Sequence, residues 1–156
     1  MSQQGQPRVW VLVADGERAR VVVPTEREGR FATRIAFDAA SARLPRDAGA
    51  GEVERRLEAA EPGHHAEKPA RDPKVLGEQG FAASVAEHVS AHAQKHDFDQ
   101  LVLVAPGRTL HHLREALSAQ AARMVVGSVS KDYAGLADHD LSPHLAQWWL
   151  APPAAA

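Results

Sequence analysis

The stretch Val9-Trp10-Val11-Leu12-Val13-Ala14, followed by Asp15-Gly16 and by Arg18-Ala19-Arg20-Val21-Val22-Val23, decides the fold. Its first six residues read as a continuous apolar strand. Asp15-Gly16 is a strong turn pair, because glycine accepts positive φ without steric cost. Arg18–Val23 then reads as a returning strand. The polar run from Pro24 to Arg30 is turn-like, and Phe31–Phe37 alternates as a third strand should. The spacing predicts an antiparallel meander across residues 8–37.

Further along, the period changes. From Asp72-Pro73, a plausible helix start, Phe81, Val85, Val89 and Ala93 share one helical face up to about His96. Leu101–Ala105 is a strand apolar on both faces, and Pro106-Gly107 leads into a second helix at about Thr109–Ala122. Met124–Val129 is another strand, and a short terminal helix with Leu141, Leu145, Trp148 and Leu150 is expected to cover one edge. Helix–strand–helix–strand–helix favours parallel strands with right-handed crossovers. The expected fold is α/β: a mixed five-stranded sheet with flanking helices, in one domain over 8–150, with residues 1–7 and 151–156 as loose ends. Between them lies a connection, 39–73, holding Pro45, Gly49, Gly51, Pro62, Gly63, Pro69 and Pro73, with a possible short helix at Glu52–Ala60. A connection this long inside a compact domain tends to be functional or disordered.

Composition bounds the function. The 156 residues are 44% hydrophobic and 24% charged, enough for a core and unlike a disordered chain. The formal charge is −2, from 18 basic and 20 acidic residues. An autonomous duplex-DNA binder normally carries a basic excess, so nucleic-acid contact here must be local or helped by a partner. Without cysteine there is no disulfide, thiolate nucleophile or Cys-type zinc site. No apolar run approaches the ~20 residues that span a bilayer, so no membrane partner is expected. The N-terminus lacks a signal-peptide pattern, which makes the cytoplasm the simplest compartment.

Taken in order, several segments carry a resemblance: Trp10–Arg20, then His65-Ala66-Glu67 with Asp72-Pro73, then Phe98–Pro106, then Lys131-Asp132. On these, over most of residues 9–145, the chain resembles the bacterial family named as required for attachment to host cells. That family is similar to the central domain of the archaeal and eukaryotic class-1 peptide-release factor. The resemblance implies a ribonuclease-H-like sheet and a ribosome- or RNA-associated role. In the release factor a Gly-Gly-Gln tripeptide in the loop before the long helix reaches the peptidyl-transfer centre. Residues 39–73 contain no Gly-Gly-Gln, and Gly77-Glu78-Gln79-Gly80 has the wrong order and lies in the helical pattern. Peptide release by that mechanism is therefore not expected, and the family name describes a phenotype.

The residues offer several candidate sites. His64, His65 and Glu67, with Asp72 close behind, could begin a metal site, but a solvated loop or a partner contact fits better. His88, His92 and His96 repeat every four residues without the glutamate of a His-Glu-x-x-His motif, so they are read as the rim of a packed face. Asp15, Asp99 and Asp132 at strand ends raise two-metal nuclease chemistry, which requires them to converge. Pro106-Gly107-Arg108-Thr109 opens a helix after a parallel strand, where free amides and Arg108 suit a phosphate or carboxylate, unless Thr109 simply caps the helix. Arg18 and Arg20, two apart on one strand, could both touch RNA phosphates.

The reading is a non-enzymatic, release-factor-like binding protein engaging ribosome or structured RNA through Arg18, Arg20, Gly107, Arg108 and Thr109, with His64, His65 and Glu67 as loop contacts. No cofactor or metal is expected. A metal-dependent hydrolase, or a protein-interaction factor acting indirectly in attachment, are the alternatives.

Overall fold

Both faces of the central strands must be buried, and the fold is arranged around that need. A computed structural model describes residues 7–39, 46–47 and 73–152. Strands β1 (Val9–Ala14), β2 (Arg18–Pro24) and β3 (Phe31–Asp38) form the expected antiparallel meander. A two-residue strand β4 (Arg46–Asp47) adds to the outer edge of β3. Helix α1 (Pro73–Gln94) leads to β5 (Gln100–Val104), which lies parallel to β1. Helices α2 (Gly107–Ala116) and α3 (Ala119–Arg123) lead to β6 (Val125–Val129), parallel to β5. Helix α4 (Asp138–Leu141) and a 3-10 helix (Ser142–Trp148) close the described chain. The sheet order is β4-β3-β2-β1-β5-β6: the five expected strands plus the short edge piece.

One face of the sheet carries α1, α2 and α3. Trp10, Leu12, Leu101 and Leu103 pack there against Phe81, Val85, Val89 and Ala93 of α1 and Leu113 of α2. The other face presents Val9, Val11, Val13, Val22, Val102 and Val104 to Ala134, Leu141 and Leu145. Each fully buried aliphatic side chain contributes about 2 kcal/mol of transfer free energy. The apolar pattern of the terminal helical segment points to an edge position. The segment covers this second face instead, where among the described residues the valines of β1 and β5 have no other lid.

Three local details differ from the sequence pattern. Phe31, Thr33, Ile35 and Phe37 are two apart and would share one face of a regular strand. The ladder shifts between Val21 and Val22, which pair with Ile35 and Thr33, so Arg34 is an extra residue. This bulge sends Phe31 to the valine face and Ile35 and Phe37 to the helical face. Secondly, the expected helix Thr109–Ala122 breaks at Leu117, which is extended (ψ 145°). Ser118 restarts the chain as α3: its Oγ accepts from the Ala121 N–H at 3.1 Å, and its own N–H donates to Ser90 Oγ at 2.9 Å. Thirdly, Gly16 does not use positive φ; among the described residues the glycine that does is Gly29. Gly16 instead admits α1, since a Cβ there would stand 2.7 Å from Glu78 Cγ.

Helix α1 ends in a Schellman arrangement. Asp97 N–H donates to His92 O at 3.0 Å and His96 N–H to Ala93 O at 3.0 Å. His96 sits at the left-handed position with φ 60°, where glycine is usual. The non-glycine left-handed conformation costs about 1 kcal/mol, so His96→Gly is expected to stabilise the protein by about 1 kcal/mol in urea melts. A loss of stability in that variant would contradict the assignment. Among the described residues no helix is long and apolar enough to cross a membrane.

Candidate functional site

The parallel strands β1, β5 and β6 all end at one end of the sheet, and the turns after them meet there. Asp15 Oδ1 accepts from the N–H groups of Glu17 (2.8 Å) and Arg18 (2.9 Å), which fixes the turn after β1. Arg18 Nε lies 3.3 Å from Asp15 Oδ2, and its side chain is 59% exposed. After β5, Pro106 is the residue before α2 and no side chain caps the helix. The first helical bond is Leu110 N–H to Pro106 O at 2.8 Å. The amides of Gly107, Arg108 and Thr109 therefore precede the hydrogen-bonded ladder. Arg108 Nη1 is 3.5 Å from Glu78 Oε1 of α1, with its side chain 67% exposed. Glu78 also abuts Gly16, which ties the turn after β1 to that after β5. A Cβ on Gly107 would stand 3.7 Å from Ser130 Oγ, beyond the end of β6.

The same end holds the root of the long connection. Asp38 pairs with Arg18, and Ala39 N–H donates to Glu17 O at 2.9 Å. From this root the chain leaves, and it returns as α1, whose Glu78 reaches the same turns. His64, His65 and Glu67 lie outside the described residues.

Thus Arg18, Gly107 and Arg108 lie at the same end of the sheet, while two other expected residues are placed differently. Thr109 is buried at the third position of α2 and caps nothing. Arg20 projects from the valine face, as Arg18 does, but underneath the C-terminal segment. Its Nη1 donates to Ala134 O at 2.9 Å, its Nη2 to Leu136 O, and its Nε lies 3.1 Å from Asp138 Oδ1. Asp138 in turn accepts from Thr33 N–H and Thr33 Oγ1. Hydrogen bonds to charged groups contribute about 1.5–3 kcal/mol each, so Arg20 fastens the lid rather than facing a ligand. These partners lie more than a hundred residues away in sequence, and no local signal announces them.

The strand-end aspartates do not converge. Asp99 stands at the opposite end of the sheet, before β5, and accepts from Arg8 N–H at 2.7 Å and Arg8 Nε at 3.3 Å. Burial pushes its carboxyl up, but the hydrogen bonds and charge of Arg8 more than offset this and hold it below the usual value. Asp132 follows β6 on the exposed surface. Among the described residues no group of three or more His, Asp or Glu is placed to hold a metal. Of the helical histidines, His88 meets the Phe37 ring edge-on at 6.0 Å, and His92 lies against Trp10 at 5.0 Å with its Nδ1 2.7 Å from Asp97 Oδ2. His96 is the exposed residue after the helix. Two of the three therefore line the packed rim as expected. The hydrogen bond from His92 holds Asp97 below the usual carboxylate range. An open cleft of about 320 Å³ at this end is lined by Arg8, Trp10, Arg34, Asp97 and Pro152 among others. Trp10 at its floor is 3% exposed, and the Arg34 guanidinium covers the ring at 5.7 Å.

A family model described as "Protein required for attachment to host cells" matches residues 10–145. No curated protein matches the sequence significantly. Two solved structures are similar in shape. One is described as an archaeal protein (12% identity, TM-score 0.49). The other is the archaeal translation termination factor aRF1 (14% identity, TM-score 0.49). Each match covers 90% of this chain and 34% of the other, so the chain spans about a third of their length.

Burial, and then the neighbouring His92, hold His88 below its ordinary value of 6.5. Its neutral form is favoured in the fold, so the linked stability is present above the unfolded value and is lost as pH falls through the histidine range. His88→Asn is expected to lose less melting temperature than the parent between about pH 7.5 and 5.5. Equal losses in thermal scans of the two proteins would contradict this.

Proposed function

The chain belongs to the family of proteins required for attachment to host cells, and we propose that it acts as a non-enzymatic binding protein that engages the ribosome or structured RNA. The binding surface is the sheet end carrying Arg18, Gly107 and Arg108, together with the 39–73 connection that leaves from it at Ala39. One observation carries the reading: two guanidinium groups, 59% and 67% exposed, stand at the same end of the sheet as an uncapped helix start, where three parallel strands finish. Asp15 and Glu78 orient these groups and leave most of each in solvent. Phosphate oxygens suit such a set, since guanidinium forks and helix-start amides both donate to them. The separated aspartates favour binding over two-metal hydrolysis. With no Gly-Gly-Gln in residues 39–73, the family's similarity to a release factor is taken as one of shape and not of peptide release.

The near-neutral charge makes the expected binding modest and local. Fluorescence anisotropy with a structured ribosomal RNA fragment tests it. Removing one phosphate-bound cation lowers the slope of log K against log salt by about 1. Arg18→Ala with Arg108→Ala should therefore flatten the slope by about 2 and weaken binding at low salt. An unchanged slope and affinity in that double variant would remove this surface from consideration.

A further inference from the structure

Of the sheet's two edges, β4 and β6, the longer is β6, and nothing among the described residues pairs its outer side. Strand β6 bonds β5 on one side, and no strand follows it in the sheet order. Val129 O accepts from Ala105 N–H at 3.1 Å. In a parallel ladder alternate residues serve a given neighbour, so Ser128 turns its N–H and C=O outward. The register shifts between Leu101 and Val102, whose partners are Val125 and Gly127, leaving Val126 outside the ladder. Val126 is 50% exposed, the large apolar side chain most open to solvent among the described residues. Edge strands are commonly blunted by charge or proline within the strand, and Val125-Val126-Gly127-Ser128-Val129 has neither.

The strand is held firmly for docking. On the valine face the Trp148 indole lies so close that a Cβ on Gly127 would stand 3.1 Å from its Cζ2. On the helical face Arg114 Nη2 donates to Ser128 Oγ at 2.9 Å. A preformed edge avoids part of the ordering cost of association.

Charge selects the occupant. Arg123 precedes β6 and Lys131 follows it, both exposed, and neither forms an ion pair within the described residues; Asp132 is the nearest carboxylate in sequence. Pairing with a second copy about Gly127 would set Arg123 opposite Lys131 of that copy, a repulsive register. We propose that β6 is a docking edge for an extended peptide bearing acidic residues at both ends, which adds as a seventh strand. Main-chain hydrogen bonds at Ser128 would supply affinity, and Arg123 and Lys131 the selection. The Lys131 end of this surface adjoins the Arg18–Arg108 end through Ser130, but the proposal does not depend on RNA binding.

The test is an amide NMR titration of the full chain with three probes. The first is a blocked peptide of alternating valine and threonine with paired glutamates at each end. The second has lysines in their place, and the third is a single-stranded oligouridine. The glutamate peptide is expected to shift the amides of residues 125–130 and the lysine peptide to leave them unmoved. Arg123→Glu with Lys131→Glu should reverse the preference, and Ser128→Pro, which keeps the β5 pairing, should abolish binding of both. Equal response to the two peptides, shifts at β6 from oligouridine alone, or no shifts at β6 would each overturn the proposal. Should Ser128→Pro fail to fold, the charge reversal decides alone.

Discussion

Strands β1 and β5 lie side by side with every residue of β1 and nearly every residue of β5 buried, and the rest of the chain is organised to cover them. One face is closed by α1, α2 and α3, which the right-handed crossovers place there. Among the described residues the other face has no crossover helix. A short C-terminal segment closes it with Leu141, Leu145, Trp148 and Trp149, and polar anchors reinforce this apolar packing. Arg20 binds the carbonyls of Ala134 and Leu136 and meets Asp138; Ser142 Oγ accepts from Phe31 N–H at 2.9 Å; Trp149 Nε1 donates to Thr25 O at 3.1 Å. Among the described residues no buried side-chain polar atom lacks a partner. The lid is thus fixed by directed bonds as well as by apolar packing.

What can be read from the sequence follows from this arrangement. Val9–Ala14 and Leu101–Val104 are unbroken apolar runs because both faces are buried, and α1 shows its packed face plainly in Phe81, Val85, Val89 and Ala93. The bulge at Arg34 is illegible because the period-2 pattern of Phe31, Thr33, Ile35 and Phe37 is what a regular strand would show. The break at Leu117 leaves a trace in Ser118, a good helix-capping residue, but Leu110, Leu113 and Leu117 keep the helical period running across it. At the candidate site, the strand-end position of Arg18, Gly107 and Arg108 is readable from the order of strands and turns. The engagement of Arg20 is not, since its partners come from the last quarter of the chain.

Two surfaces with different chemistry result. The sheet end offers guanidinium groups and helix-start amides beside the root of the long connection, which suits phosphate. The β6 edge offers backbone groups flanked by Arg123 and Lys131, which suits an acidic strand.

The measurement that bears most directly on the functional account is co-sedimentation of the purified protein with 70S ribosomes at low and moderate salt, beside the Arg18→Ala, Arg108→Ala double variant. The account predicts that the parent pellets with ribosomes at both salts and that the variant pellets less, with the larger deficit at low salt. A parent that stays in the supernatant at both salts, with ribosomes in stoichiometric amount, would contradict it.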